Sequence, residues 1–228
     1  MAQSGFRVAV SVDLVLLTLD EDALSVALLP RSTHPGPDNA FPGELALPGG
    51  TIDRKADADL DATVRRVMTA KAGLVPGYFE QLQTFGDHLR DPREWTLSVA
   101  YFALVKRSDI PADNPLRLAK VDTIGRLPFD HNRILACAVE RVRSKSTYST
   151  LPLVFLPPEF TLTEMRAVYE QVWGESVDRV RFQRDVEAMD VLEGLNTFSQ
   201  TGGRPARLFR KRRSIKGVAT VGTSLGRR

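Results

Sequence analysis

Hydrophobic and polar positions alternate in short runs over the first half of the chain and in longer, helical spacings over the second. Arg7 to Leu19 (RVAVSVDLVLLTL) is rich in Val and Leu and predicts a strand. Glu21-Asp22 predict a turn, and Leu24 to Leu29 (LSVALL) a second strand, giving a hairpin. Arg31 to Pro42, with Pro35, Pro37 and Pro42, reads as a loop. Tyr78 to Phe85 (YFEQLQTF) and Trp95 to Val105 (WTLSVAYFALV) predict two more strands, separated by the loop GDHLRDPR. Between these pairs, from about Asp57, Leu60, Val64 and Met68 recur at helical spacing, and Gly73 stands where a helix C-cap belongs. Strands around one crossover helix predict an α/β/α sandwich.

The second half opens with Asp130 as the expected N-cap of a helix over His131 to Lys145, with Ile134, Leu135, Ala138, Val139 and Val142 as its buried stripe. Leu151 to Phe160 (LPLVFLPPEF) is broken by Pro152, Pro157 and Pro158 and predicts a short semi-rigid connector. Thr161 and Glu164 form a capping box, opening a helix lined by Leu162, Met165, Val168, Tyr169 and Val172 and ended by Gly174. A short helical element is expected near Ser176, and a third helix over roughly Arg179 to Leu192, apolar at Phe182, Val186 and Met189. Two strand-like pieces then flank Gly202-Gly203 between Leu195 and Arg212. Helix, turn, helix and basic hairpin predict a winged helix-turn-helix. The expected domains are therefore residues 1–150, a connector at 151–160, and an α+β module at 161–228.

Charge sharpens this division. The chain has 228 residues and a net charge of only +3, yet no acidic residue follows Arg204, while Arg204, Arg207, Arg210, Lys211, Arg212, Arg213, Lys216, Arg227 and Arg228 are basic. Such a run is commonly a solvated tail; behind a helix-turn-helix pattern it suits DNA phosphates. Arg179, Arg181, Gln183 and Arg184 are the candidates for reading bases, since Arg suits guanine and Gln adenine, although pairing with Asp185 or Glu187 is the structural alternative. One cysteine, Cys137, excludes an internal disulfide framework and is expected as a buried thiol. No apolar run reaches membrane-spanning length and no signal-like segment opens the chain, so a cytoplasmic, nucleoid-associated protein is expected. His34, His88 and His131 form no metal-ligand spacing and are expected to be solvated or capping.

The stretch from Leu47 to Leu74 resembles the Nudix box, whose family form is G-x5-E-x7-R-E-U-x-E-E-x-G-U with U aliphatic. Gly50, Arg66, Met68 and Gly73-Leu74 fall on its frame. The glutamate after the arginine is replaced by Val67, and the adjacent pair by Ala70 and Lys71. A Nudix hydrolase holds Mg²⁺ on those carboxylates to cleave a diphosphate, so this box implies a kept fold without catalysis. A rearranged site on Asp57, Asp59 or Asp61 is the alternative. Candidate ligand contacts are Gly49 and Gly50, with Arg31 and Arg93 for phosphates. Phe85 is a candidate for base stacking or for the core, and Asp87 for ribose hydroxyls or a turn cap.

Across nearly the whole chain, LPGG at 47–50, TFGD at 84–87, RDPR at 90–93, SVAYFALV at 98–105, LPFDHNRIL at 127–135, FTLTEMRAVYE at 160–170 and GGRPARLFR at 202–210 together resemble the NrtR family, Nudix-related regulators of NAD metabolism. The resemblance implies a homodimeric repressor, and the box without its glutamates leads us to expect no catalytic residues, metal or cofactor. Its Nudix-like domain would sense ADP-ribose or a related NAD metabolite, and its winged helix would bind a palindromic duplex operator of NAD biosynthesis or salvage genes. An ADP-ribose pyrophosphatase with an accessory nucleic-acid-binding domain is the rival reading, and an RNA-associated Nudix protein a third.

Overall fold

The computed structural model describes residues 8–34, 36, 39–75, 77–199, 205–222 and 225. The chain divides into two compact units, Met1–Leu17 with Ser25–Ala138, and Thr18–Leu24 with Val139–Arg228.

The first unit is built on a mixed sheet. Strands β1 (Ala9–Asp20), β2 (Ala23–Pro30), β3 (Leu45–Ala46), β4 (Gly49–Thr51), β5 (Tyr78–Gly86), β6 (Thr96–Leu104) and β7 (Arg117–Lys120) form it, in the order β3-β2-β1-β6-β5, with β4 on β1 and β7 on β2. Strand β1 runs parallel to β6, from Ala9 opposite Thr96 to Leu17 opposite Leu104, so it is paired centrally and tolerates a nearly continuous apolar run. Glu21 and Asp22 both take positive φ, the geometry of a tight hairpin turn whose twist matches its strands. Strand β7 was not expected from the sequence: its four residues, RLAK, are too short and too basic to stand out, and it is defined by antiparallel pairing with Ser25–Leu28 of β2.

The expected crossover helix is shorter and of two kinds. Helix α1 (Leu60–Val67) starts where the Asp59 carboxylate accepts from the Ala62 N–H, and then widens into a π-helical turn, Met68–Ala72. Gly73, at φ 61°, closes it in the left-handed region as expected. Val64, Val67 and Met68 pack on Val12, Leu14 and Leu16 of β1 and on Val99, Tyr101 and Ala103 of β6. Each of these side chains contributes roughly 1.5–3 kcal/mol when fully buried, so a charge at Val64 would unseat the helix.

Helix α2 (His131–Ser146) has the expected span; directly before it, the Asp130 carbonyl accepts from the Arg133 and Ile134 N–H groups while the Asp130 carboxylate holds Arg90. Cys137 is only partly buried, with its Sγ 3.7 Å from the Gln83 amide nitrogen.

In the second unit, the stretch expected as a connector holds a 3-10 helix, Leu151–Phe155, with Leu151 and Pro152 buried. Pro152 sits where this short helix begins, and Pro157 and Pro158 follow its end. Helix α3 (Leu162–Trp173) carries both halves of the Thr161–Glu164 capping box and ends at Gly174, φ 73°. The expected helical element near Ser176 is absent: residues 176–178 are irregular, and the Asp178 carboxylate caps the next helix by accepting from the Arg181 N–H. That helix, α4 (Arg179–Met189), stops at Asp190, which adopts a left-handed φ of 51°. Tyr169 packs edge-on against Trp173 and Phe182, ring centroids 5.2 and 5.4 Å apart, locking α3 to α4. Strands β8 (Leu192–Ser199) and β9 (Ala206–Lys211) make the wing. Gly202, Gly203 and Arg204, expected at its tip, lie outside the described residues. The segment beyond β9 returns to the end of α2: Thr150 N–H donates to Ala219 O at 2.9 Å, Val221 N–H to Tyr148 O at 2.8 Å, and Leu225 is buried.

Candidate ligand pocket and nucleic-acid interface

A cavity of about 970 Å³ opens in the first unit, above the Gly-Gly turn and the polar end of β1. Its base is a buried ionic cluster. Asp13 takes a hydrogen bond from Ser98 Oγ at 2.6 Å and one from Arg90 at 2.9 Å, and Arg90 also binds Asp130 at 2.9 Å. His131 Nδ1 accepts from the Leu47 N–H at 3.1 Å, which assigns the ring proton to Nε2, 3.5 Å from Asp13 Oδ1. Burial alone would raise the Asp13 pKa. Hydrogen bonds from His131 and Ser98 and the charge of Arg90 outweigh it and hold the carboxyl at about 2.

Gly49 pairs with Asp13 across β1 and β4. A Cβ there would stand 2.5 Å from Asp13 Oδ1 and 2.8 Å from Val12 O, so only glycine fits. Gly50 is less constrained; its Cβ would come 3.1 Å from Val67 Cγ2.

Above this base lies an aromatic ring with two guanidiniums near it. Phe129 has Arg31 at 5.0 Å and Arg93 at 5.6 Å from its ring centroid, with Phe41 edge-on at 4.9 Å. Arg31 is fixed by bonds to Ala40 O (2.7 Å) and Asn39 Oδ1 (3.2 Å), and Arg93 by Asp91 at 2.7 Å. Lys71, on the π-helical turn, also lines the cavity, and its ammonium donates to the Gly49 carbonyl.

Of the six expected ligand residues, Arg31, Gly49, Gly50 and Arg93 come together here. Phe85 and Asp87 do not line the cavity. Phe85 is fully buried beneath the Arg133 guanidinium, and the Asp87 carboxylate caps a turn by accepting from the Leu89 N–H at 2.8 Å. A strand residue facing the core has no route into a cavity on another part of the sheet. His131, expected to be solvated or capping, is buried in the cluster. Asp13, Arg90, Phe129 and His131 were missed as site residues; the signals available were a carboxylate inside an apolar strand and the compact segment LPFDHN.

The carboxylates of the box helix have other partners. Asp57 holds Arg66 through two bonds of 2.7 Å and also accepts from Thr63 and the Asp53 N–H; these contacts, led by Arg66, push its pKa well below the usual range. Asp59 caps α1, and Asp61 lies 3.2 Å from the Tyr101 hydroxyl. Val67 points into the core, 1% exposed. Among the described residues, no group of three or more His, Cys, Asp or Glu is arranged to hold a metal ion.

In the second unit, Arg179, Arg181, Gln183 and Arg184 all lie exposed on α4. Arg181 and Arg184 approach Asp185 at 3.6 and 3.1 Å, and Gln183 bonds Glu187 at 3.0 Å. Val180, unremarked in the sequence, stands among them 76% exposed. On the wing, Arg207 bonds Leu195 O at 2.9 Å and lies flat against Gly194, whereas Arg210 is committed to Glu193 by bonds of 3.0 and 3.1 Å. No described helix is long and apolar enough to cross a membrane.

A Nudix-type sandwich with a cationic cavity, continued by a winged helix-turn-helix, defines the class. A family model for the NrtR DNA-binding winged helix domain matches residues 152–210. The ADPR responsive transcriptional repressor NtrR of Acinetobacter baylyi is 32% identical over 206 residues, covering 88% of this chain and 80% of that protein. The chain belongs to the NrtR family. Shewanella oneidensis NrtR, in its crystal structure complexed with a 27mer DNA, superposes with a TM-score of 0.80 at 33% identity, over 95% of this chain and 99% of that one. The NUDIX domain of the same protein, in a cocrystal with ADP ribose, matches at a TM-score of 0.53 and 34% identity, over 62% of this chain and 92% of the other.

Proposed function

We propose that the protein is a DNA-binding repressor of NAD biosynthesis or salvage genes, whose Nudix-fold cavity senses ADP-ribose or a related NAD metabolite without hydrolysing it. One observation carries this reading: the cavity offers Arg31, Arg93, Lys71 and an aromatic ring, while the carboxylates of the box are capping, paired or replaced. That inventory binds an anionic nucleotide and supplies no ligand cluster for the cation that hydrolysis needs. The pyrophosphatase reading would require Asp57 to abandon Arg66 and Asp59 to abandon the α1 cap.

The exposed face of α4 supplies the second function. Arg179, Arg181, Gln183 and Arg184 are available to base edges and phosphates, Val180 suits a thymine methyl, and Arg207 suits the backbone beside the wing. The protein acts as a homodimer on a palindromic operator, each recognition helix entering one half-site. Control is linkage: if ADP-ribose binds the DNA-free form better, DNA must weaken ADP-ribose binding by the same factor. Helix α2, which begins in the cavity at His131 and ends at Ser146 beside Trp173, is the element whose position both events would bias.

Fluorescence anisotropy with a labelled duplex from NAD-gene promoters, with and without ADP-ribose and with AMP release assayed alongside, tests this. Salt-sensitive binding that ADP-ribose weakens, with no AMP formed, is expected. AMP release without specific DNA binding would establish the hydrolase instead.

A further inference from the structure

The Nudix fold implies a divalent cation over the box helix, and the residues here do not fit one. Val67 is packed in the core, Ala70 offers only a methyl group, and Lys71 carries a positive charge. Mg²⁺ requires several oxygen ligands at close range.

We propose that Lys71 takes the place of that cation: its ammonium neutralises the diphosphate of the effector directly, so effector binding is independent of Mg²⁺. The inference rests on the reading of the cavity as an ADP-ribose sensor. Lys71 sits on the π-helical turn Met68–Ala72, a widened turn of the kind that recurs at functional sites. It lines the same cavity as Arg31 and Arg93, and its bond to the Gly49 carbonyl anchors it at the Gly-Gly turn. An ammonium has three donors, so two remain for phosphate oxygens.

The surrounding charge supports the same role. Asp13, the carboxylate at the base of the cavity, is already matched by Arg90 and Ser98. Lys71 is exposed as a residue, yet desolvation of its ammonium and the proximity of the Arg31 guanidinium push its pKa down. An incoming diphosphate relieves that repulsion, whereas a metal ion would add to it.

Isothermal titration of ADP-ribose into the full-length protein, once in Mg²⁺ and once in EDTA, tests the proposal, with adenosine as the phosphate-free control. Wild type is expected to bind ADP-ribose equally in both buffers. Lys71→Met is expected to weaken ADP-ribose binding about tenfold or more, the scale of a lost charge-assisted hydrogen bond, while leaving adenosine binding and the melting temperature unchanged. Lys71→Arg is expected to keep most of the affinity. Binding by wild type that collapses in EDTA, or Lys71→Met binding as tightly as wild type, would overturn the role of Lys71 and leave the sensor standing. Failure of wild type to bind ADP-ribose in either buffer would overturn the sensor reading and this proposal together.

Discussion

Arginine is put to opposite uses in the two units. In the cavity, Arg90 is 3% exposed at its side chain and held by two carboxylates, Asp13 and Asp130. On α4, Arg184 is 73% exposed and pairs with its neighbour Asp185. A buried guanidinium cannot exchange partners without a large desolvation cost, so it fixes geometry. An exposed pair contributes little to stability and is readily given up to a phosphate. The first kind builds a site; the second is a surface waiting for a polyanion.

Breaking the buried cluster should produce the largest effect. Asp13→Asn leaves Arg90 with half its counter-charge and should cost about 3 kcal/mol or more, read by urea denaturation. Hydrogen exchange should localise the loss to β1 and β6, and a change below about 1 kcal/mol would show that the cluster is not structural.

Titration of the same group comes next. The Asp13 carboxyl stands at about 2 in the folded protein against an ordinary 3.8. A depressed pKa contributes stability above the unfolded value and loses it as pH falls through the folded one. About 2 kcal/mol should therefore disappear between roughly pH 4 and pH 2, and Asp13→Asn should lack that acid limb.

The surface should behave in the contrary way. Arg181→Ala with Arg184→Ala should shift stability by less than about 0.5 kcal/mol. If both groups meet phosphate, the same pair should lower the slope of log affinity against log salt by roughly 2. A stability loss as large as that of Asp13→Asn would erase the contrast between the two regions. The smallest effect belongs to Val180. Replacing single thymines of a bound operator by deoxyuracil should weaken wild type several-fold at one symmetric position, roughly 1 kcal/mol at most, and Val180→Ala should be indifferent to that change. Equal sensitivity in both proteins would remove Val180 from base reading.

Legibility followed the range of the interactions. The Thr161–Glu164 capping box, the Gly73 and Gly174 helix ends, the hairpin turn at Glu21-Asp22 and the helical stripe of Leu60, Val64 and Met68 are local chemistry, and the chain spells them out within a few residues. So were the box frame and the basic wing. The sites were legible only in part. Arg31 and Arg93 were recognisable as phosphate ligands by type, but Phe85 and Asp87, equally suitable by type, are spent on core packing and a turn. Nothing local separates Phe85 from Phe129; one faces the core on a strand, and the other meets two arginines from loops distant in the chain.

The sequence by itself determined the order of modules, the uncharged or basic residues Val67, Ala70 and Lys71 on the box helix, and the acid-free basic end. Each depends on residue type at a known spacing. Only the tertiary structure decided that Asp13, Arg90, Asp130 and His131 form one cluster, because its members are separated by 77 and 40 residues along the chain. The hydrogen bonds that join them exist only once β1, the RDPR loop and the start of α2 have been brought together.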